Sequence, residues 1–189
     1  MPVRGRPGQC REAMTGNDDV VIRAVRVDDA ESYRACIDRV ARARIFIAIT
    51  EAFPEAETRA FVADMVARDL PFYVAEAEGG RVVGWCDISQ PKPRPERPGF
   101  AHLGALGMGL DAAYRGRGLG EKLLRAALVH ASRIGLERVE LQVYAGNAAA
   151  SALYHKAGFD VEGVRRRARK LDGRYDDLVY MALLLPSIE

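Results

Sequence analysis

Cysteine is scarce in this 189-residue chain: Cys10, Cys36 and Cys86 stand far apart and are odd in number. That pattern builds neither a disulfide framework nor a zinc site, and it points to a reducing, cytoplasmic compartment. No cluster of ligand-type side chains suggests a metal of any kind. No apolar run approaches the roughly 20 residues that span a bilayer. The opening stretch, MPVRGRPGQCREAMTGNDD, lacks the apolar core of a secretory leader. Charge of one sign is also missing, for the net charge is +2. So small an excess gives no argument for nucleic acid or an anionic membrane as partner.

What is present reads as one globular domain, with 49% hydrophobic and 29% charged residues. Residues 1–19 read as a flexible N-terminal extension rich in Gly, Pro and Arg. Residues 20–189 form a single domain. VVIRAV suits a strand, and DDAESYRACIDRVARA a helix capped by Asp28. PEAETRAFVADMVARD is a second helix with Pro54 near its first turn. PFYVAEAEGGRVVGWCDIS is a hairpin turned at Gly79 and Gly80, followed by a proline-rich surface loop, QPKPRPERPG. Ala101 to Leu110 is a glycine-punctuated strand. A long helix runs from Leu119 to a stop at Gly135. RVELQVY is a strand, and AAASALYHKAG a short helix closed by Gly158. FDVEGV and LVYMALLL are the last strands, separated by an arginine-rich stretch and a turn at Gly173. This alternation argues a mixed α/β or α+β fold.

The stretch YRGRGLGEKLL places Gly116, Gly118 and Gly120 directly before the long helix. Glycine weakens a helix start, so something there needs bare backbone. The first N–H groups of a helix have no partners within it, and the helix dipole adds positive charge. A pyrophosphate fits that end when no Cβ holds it away. Arg115 and Arg117 add donors and charge. The same residues also suit a plain glycine-rich turn with solvated arginines. A P-loop is excluded by the missing Gly-Lys-Ser/Thr, and a dinucleotide fingerprint fits poorly because Glu121 stands where a small residue is wanted.

Read as Arg115, Gly118 and Gly120, this segment resembles the acetyl-CoA motif, Gln/Arg-x-x-Gly-x-Gly/Ala, of the GNAT superfamily of N-acetyltransferases. LGMGLD before it, and VYAGNAAASALYHKAGF and EGVRR after it, are similar to the same family in the same order. The resemblance spans roughly residues 20–185. GWCDI, HLGALGMGL and LDGRYDDLVYMA look closest to the YhhY-like L-amino-acid N-acetyltransferases. It implies a central mixed, mostly antiparallel sheet with helices on both faces and a splayed strand pair that holds acetyl-CoA as cosubstrate. It implies that Met108, Gly109 and Leu110 pair with the pantetheine arm, that Arg115, Gly116, Arg117, Gly118, Leu119 and Gly120 seat the diphosphate, and that Asn147 positions the arm. Asn147 also suits the N-cap of the short helix, and the glycines of the strand also suit a bulge.

The implied reaction is direct attack of a neutral amine on the acetyl thioester. The resemblance gives Tyr154 the leaving sulfur. A phenol near 10 does not hand its proton fully to a thiolate near 8.5, so a hydrogen bond that strengthens as the thiolate forms is the better description. The general base is open between His102, Asp87 and Glu51. Imidazole suits proton transfer near neutrality, and a chain of waters serves as well.

Acceptor specificity is expected from residues 45–53, the loop after Ser89 and the final hairpin. Phe53, Trp85 and Tyr175 suit an apolar side chain, and Arg44 or Arg94 a carboxylate. The expected acceptor is a small primary amine such as an amino acid. The alternatives are a protein N-terminus or lysine, and a non-catalytic acetyl-CoA-binding module. Homodimerisation is common among similar proteins. RRRARK, residues 165–170, lacks interleaved aromatics and reads as a solvated hairpin rather than an RNA site.

Overall fold

The computed structural model describes residues 20–90 and 98–186. The expected N-terminal extension, Cys10, Arg94 and most of the proline-rich loop lie outside those residues. Seven strands form one sheet: β1 (Val21–Ala24), β2 (Phe72–Ala77), β3 (Arg81–Ser89), β4 (Leu103–Leu110), β5 (Arg138–Tyr144), β6 (Asp160–Leu171) and β7 (Arg174–Leu184). Four helices accompany them: α1 (Ala30–Arg42), α2 (Glu55–Ala67), α3 (Leu119–Arg133) and α4 (Ala148–Lys156). The spatial order is β1-β2-β3-β4-β5-β7-β6. Neighbours run antiparallel except β4 and β5, which run parallel.

Strand alternation divides the interior into two cores. Val74, Val82 and Trp85 face α1 and α2, where they meet Tyr33, Ile37, Val62 and Met65. Cys86, Ile88, Val139 and Leu141 face the other way, onto Leu123, Ala127 and Ala131 of α3 and Tyr154 of α4. Each helix therefore buries one stripe while its opposite side stays wet. The result is the mixed, mostly antiparallel sheet with helices on both faces.

Two local expectations need correction. Helix α1 starts at Ala30, so Asp29 rather than Asp28 occupies the cap position. Its carboxylate accepts from the Arg26 N–H at 2.7 Å and is gripped by the Arg23 guanidinium, so it fixes the entry to the helix through the preceding turn. The arginine-rich stretch does not separate the last two strands; it is the second half of β6. Arg165 donates to the Tyr180 hydroxyl, Arg167 lies over the Tyr175 ring, and Arg169 lies over the Tyr144 ring. Leu171 pairs with Arg174 across a two-residue turn whose residues, Asp172 and Gly173, both have positive φ. That is the primed geometry a tight hairpin needs.

Candidate active site

Strands β4 and β5 are joined at only one end. Their register contains three pairs, Leu103 with Arg138, Gly104 with Val139, and Ala105 with Glu140. From Leu106 onward β4 continues to pair with β3, but its other edge diverges from β5. A wedge thus opens in the middle of the sheet, and its two edges offer unpaired backbone groups to a ligand.

The far end of β4 is pinned from outside. Asp111, buried, accepts from Arg39 Nε of α1 at 2.9 Å, and its own N–H donates to Val83 O. The chain then passes through Tyr114 and the glycine turn into α3. Gly116 and Gly118 both have positive φ, and a Cβ at either would meet nothing within 4 Å. Backbone conformation, not crowding, requires glycine there, and the space in front stays open. The first intrahelical bond of α3 runs from Lys122 N–H to Gly118 O, and no side chain caps this end. The N–H groups of Leu119, Gly120 and Glu121 therefore have no carbonyl behind them in the helix. Gly120 serves a different need: a Cβ there would lie 3.3 Å from both Leu153 and Met108, so its absence lets α3 settle onto β4 and α4. Around this turn Arg115 donates to Leu110 O, and the Arg117 guanidinium stacks on the Tyr114 ring.

Asn147 follows β5 and caps α4, its side-chain oxygen accepting from Ala150 N–H at 3.2 Å. The amide NH2 is left to donate elsewhere. About two turns further, Tyr154 is buried with its ring against Phe159. Its hydroxyl reaches Met108 Sδ at 3.9 Å, a weak acceptor on the wedge strand. Burial, with a smaller push from Cys86, holds the phenol well above its ordinary pKa.

The opposite face of the sheet carries Asp87, only 7% exposed. Burial pushes its carboxyl up to about 7, although a hydrogen bond from Trp85 works in the other direction. Asp87 and Trp85 are the cross-strand partners of Gly107 and Gly109. A Cβ at Gly107 would come 2.9 Å from Asp87 Oδ1, and one at Gly109 would come 2.2 Å from the Trp85 ring. The glycines of β4 are there because these two side chains lie over them. Asp87 also lines a cavity of about 470 Å³ between the sheet, α1, α2 and residues 47–53.

The sequence-derived candidates fall into two groups. Met108, Gly109 and Leu110 lie on the wedge strand, Arg115 to Gly120 at its outer end, and Asn147 and Tyr154 on the β5–α4 side. His102 is not brought to the wedge opening. It precedes the three paired residues of β4, at the closed end, and its carbonyl accepts from Glu137 and Arg138 N–H. Glu51 is exposed on the α1–α2 loop. Phe53 and Trp85 line the cavity, whereas Tyr175 stands on the hairpin beside Arg167 and Lys170. Arg44 is paired with Asp172 at 2.7 Å. Among the described residues no group of three or more His, Cys, Asp or Glu is placed to hold a metal ion.

The model of the Acetyltransferase (GNAT) family matches residues 37–159. The chain is 41% identical over 101 residues to the N-alpha-acetyltransferase RimI of Mycobacterium tuberculosis, covering 53% of this chain and 60% of that protein. It is 32% identical over 104 residues to the L-amino acid N-acetyltransferase AaaT of Escherichia coli, covering 54% and 62%. The chain thus spans about three fifths of the length of these two curated relatives. Among solved structures, a phosphinothricin acetyltransferase from Sinorhizobium meliloti in complex with AcCoA superposes with a TM-score of 0.79, covering 88% of this chain and 89% of that one at 20% identity.

Proposed function

The chain belongs to the GNAT acetyltransferase family, and on that premise we propose that it is an acetyl-CoA-dependent N-acetyltransferase that acetylates the primary amine of a small molecule by direct attack. Acetyl-CoA supplies the reactive acetyl thioester. The residues present fit it: the open space before Gly116 and Gly118 and the free N–H groups of Leu119 to Glu121 suit a diphosphate. The parted edges of β4 and β5 suit an extended amide-bearing arm. Met108, Gly109 and Leu110 hold that arm by backbone hydrogen bonds, and the Asn147 amide steadies it from the β5 side. An N–H of the same strand stabilises charge on the carbonyl oxygen.

The observation that carries the reading is the pair of buried hydroxyl and carboxyl groups on the two sides of the wedge strand. Asp87 sits over Gly107 and opens into the cavity, so no β4 side chain shields it from the wedge. With a pKa near 7 it is half ionised at neutrality and takes a proton from an incoming ammonium or amine. Tyr154, on the opposite face, keeps its proton because burial opposes the phenolate. It serves the departing sulfur by a hydrogen bond. A small-molecule acceptor is supported by the apolar cavity of about 470 Å³ beside Asp87 and by the amino-acid substrate in the name of one relative.

A second reading, acetylation of a protein N-terminus, draws on the RimI relative. It requires a groove open to an extended chain rather than a pocket walled by α1, α2 and their connection. Release of free thiol from acetyl-CoA, measured against small amines and against N-terminal peptides, tests both. Thiol release with small amines that falls by roughly 10²-fold or more in Asp87→Asn is the expected result. Binding of acetyl-CoA without release to any amine would leave a non-catalytic binding module.

A further inference from the structure

Resting on that acetyl-transfer reading, we propose that Asp111 and Arg39 are positioning residues for acetyl-CoA: the pair holds the upstream flank of the glycine turn, so that its N–H groups are aimed before the cosubstrate arrives. The inference starts from what the turn lacks. Gly116 and Gly118 have no side chains to pack, and the space a Cβ would fill at either is open. Glycine has the most backbone freedom to lose, so such a turn keeps its shape only when both flanks are held. Helix α3 holds the downstream flank through buried Leu119 and Leu123. The upstream flank leads back to Asp111, where β4 ends.

Packing alone gives no reason for a carboxylate there. Apolar side chains of similar volume often match or exceed a buried ion pair in stability. What the pair adds is direction. Arg39 Nε of α1 lies 2.9 and 3.2 Å from the two Asp111 oxygens, and the Cys36 thiol donates to Oδ1 at 3.7 Å. Burial pushes that thiol up to about 12, so it stays a donor. The same guanidinium grips β3, with Nη2 donating to Val82 O at 2.8 Å, and the Asp111 N–H donates to Val83 O at 2.9 Å. The hold then passes down the chain. Asp111 O accepts from the Tyr114 N–H at 2.9 Å, and Arg115 Nε donates to Leu110 O at 3.1 Å. The Tyr114 hydroxyl accepts from Arg81 at 2.9 Å, and its ring lies under the Arg117 guanidinium. Contact by contact, α1 is joined to the residues that enter the turn. A side chain that fixes this end acts on the ligand without touching it.

Calorimetric titration of the full chain with acetyl-CoA tests this on Asp111→Asn and Arg39→Met, beside Val62→Ala. Val62 is fully buried in the core that holds Cys36 and Val82, so its truncation lowers the melting temperature without touching the pair. Asp111→Asn and Arg39→Met should bind acetyl-CoA roughly tenfold or more weakly than the parent. Val62→Ala, measured well below its melting temperature, should stay within about twofold of the parent. The double variant should lose no more than the worse single one, because each residue acts through the other. Arg39 is partly open to solvent, so Arg39→Met gives the answer even where Asp111→Asn does not fold. Parent-like affinity in Arg39→Met, or an equal loss in Val62→Ala, leaves the pair a matter of stability and overturns the inference. A parent chain that takes up no acetyl-CoA overturns the acetyl-transfer reading itself.

Discussion

The carboxylate of Asp87 lies where a side chain at Gly107 would begin: a Cβ there would come 2.9 Å from Oδ1. The two residues face each other across β3 and β4, so the acid is held over the wedge strand without being covered by it. Position and proton affinity come from one arrangement, because the packing that aims the group also strips it of water.

The rate should therefore follow the ionisation of Asp87. A base must be deprotonated to act, so kcat/KM is expected to rise with pH and level off above about 7. A pH profile of thiol release checks this, and Asp87→Asn should lose roughly 10²-fold or more in rate together with that inflection.

The same variant should gain stability. The folded chain keeps the Asp87 proton up to about pH 7, whereas the unfolded chain releases it near 3.8. This raised carboxyl therefore costs nothing below about 3.8 and destabilises progressively as pH climbs to about 7. At pH 8 the cost reaches at most about 4 kcal/mol, at ~1.4 kcal/mol per tenfold change in proton affinity. Thermal unfolding should show Asp87→Asn melting above the parent at pH 8, with the gap closing toward pH 4.

Tyr154→Phe should lower turnover by about 10²-fold with little change in acetyl-CoA affinity. The hydroxyl's contact in the free protein is a long one to Met108 Sδ, so removing it should leave the melting temperature nearly unchanged. Equal turnover of mutant and parent would remove the tyrosine from the chemistry.

Gly118→Ala separates conformation from crowding. The new methyl group meets nothing within 4 Å, but φ is +74°. The expected cost is about 1–2 kcal/mol from the left-handed backbone alone. Titration should also show weaker acetyl-CoA binding, because the turn that aims the N–H groups relaxes. Gly109→Ala fails by the other route: its Cβ would press 2.2 Å from the Trp85 ring, and overpacking of that kind costs typically 1–3 kcal/mol. Pairing it with Trp85→Leu should recover part of the loss.

Much of the scaffold is legible in local sequence. Gly118 before a helical repeat, Asn147 before α4 and Asp172-Gly173 between β-patterned runs each act within a few residues, and each does locally what its chemistry suggests. The purpose of the β4 glycines is not legible in that way. The glycines of the strand suit a bulge, and Gly109 a ligand's approach, but the atoms that need the room at Gly107 and Gly109 belong to Asp87 and Trp85, some 20 residues earlier in the chain. Finding them requires the β3–β4 register, and a shift of one residue would send both side chains to the other core. His102 illustrates the same limit. It starts the right strand, yet the pairs from Leu103 to Ala105 leave it at the closed end of the wedge. The cavity was out of reach for a further reason: its outer wall is the irregular connection between α1 and α2, whose course depends on distant partners.

One of those partners is Asp172 at the tip of the last hairpin. It takes both nitrogens of the Arg44 fork at 2.7–3.0 Å, while Arg169 donates to Arg44 O. The carboxylate and guanidinium are 64% and 44% exposed, so dissolved ions compete with them freely. The pocket's outer flap is tethered by a latch worth only about 0.2–1 kcal/mol. Brine should slacken it and widen the range of guests admitted, while the interior groups that perform the transfer feel little of the change.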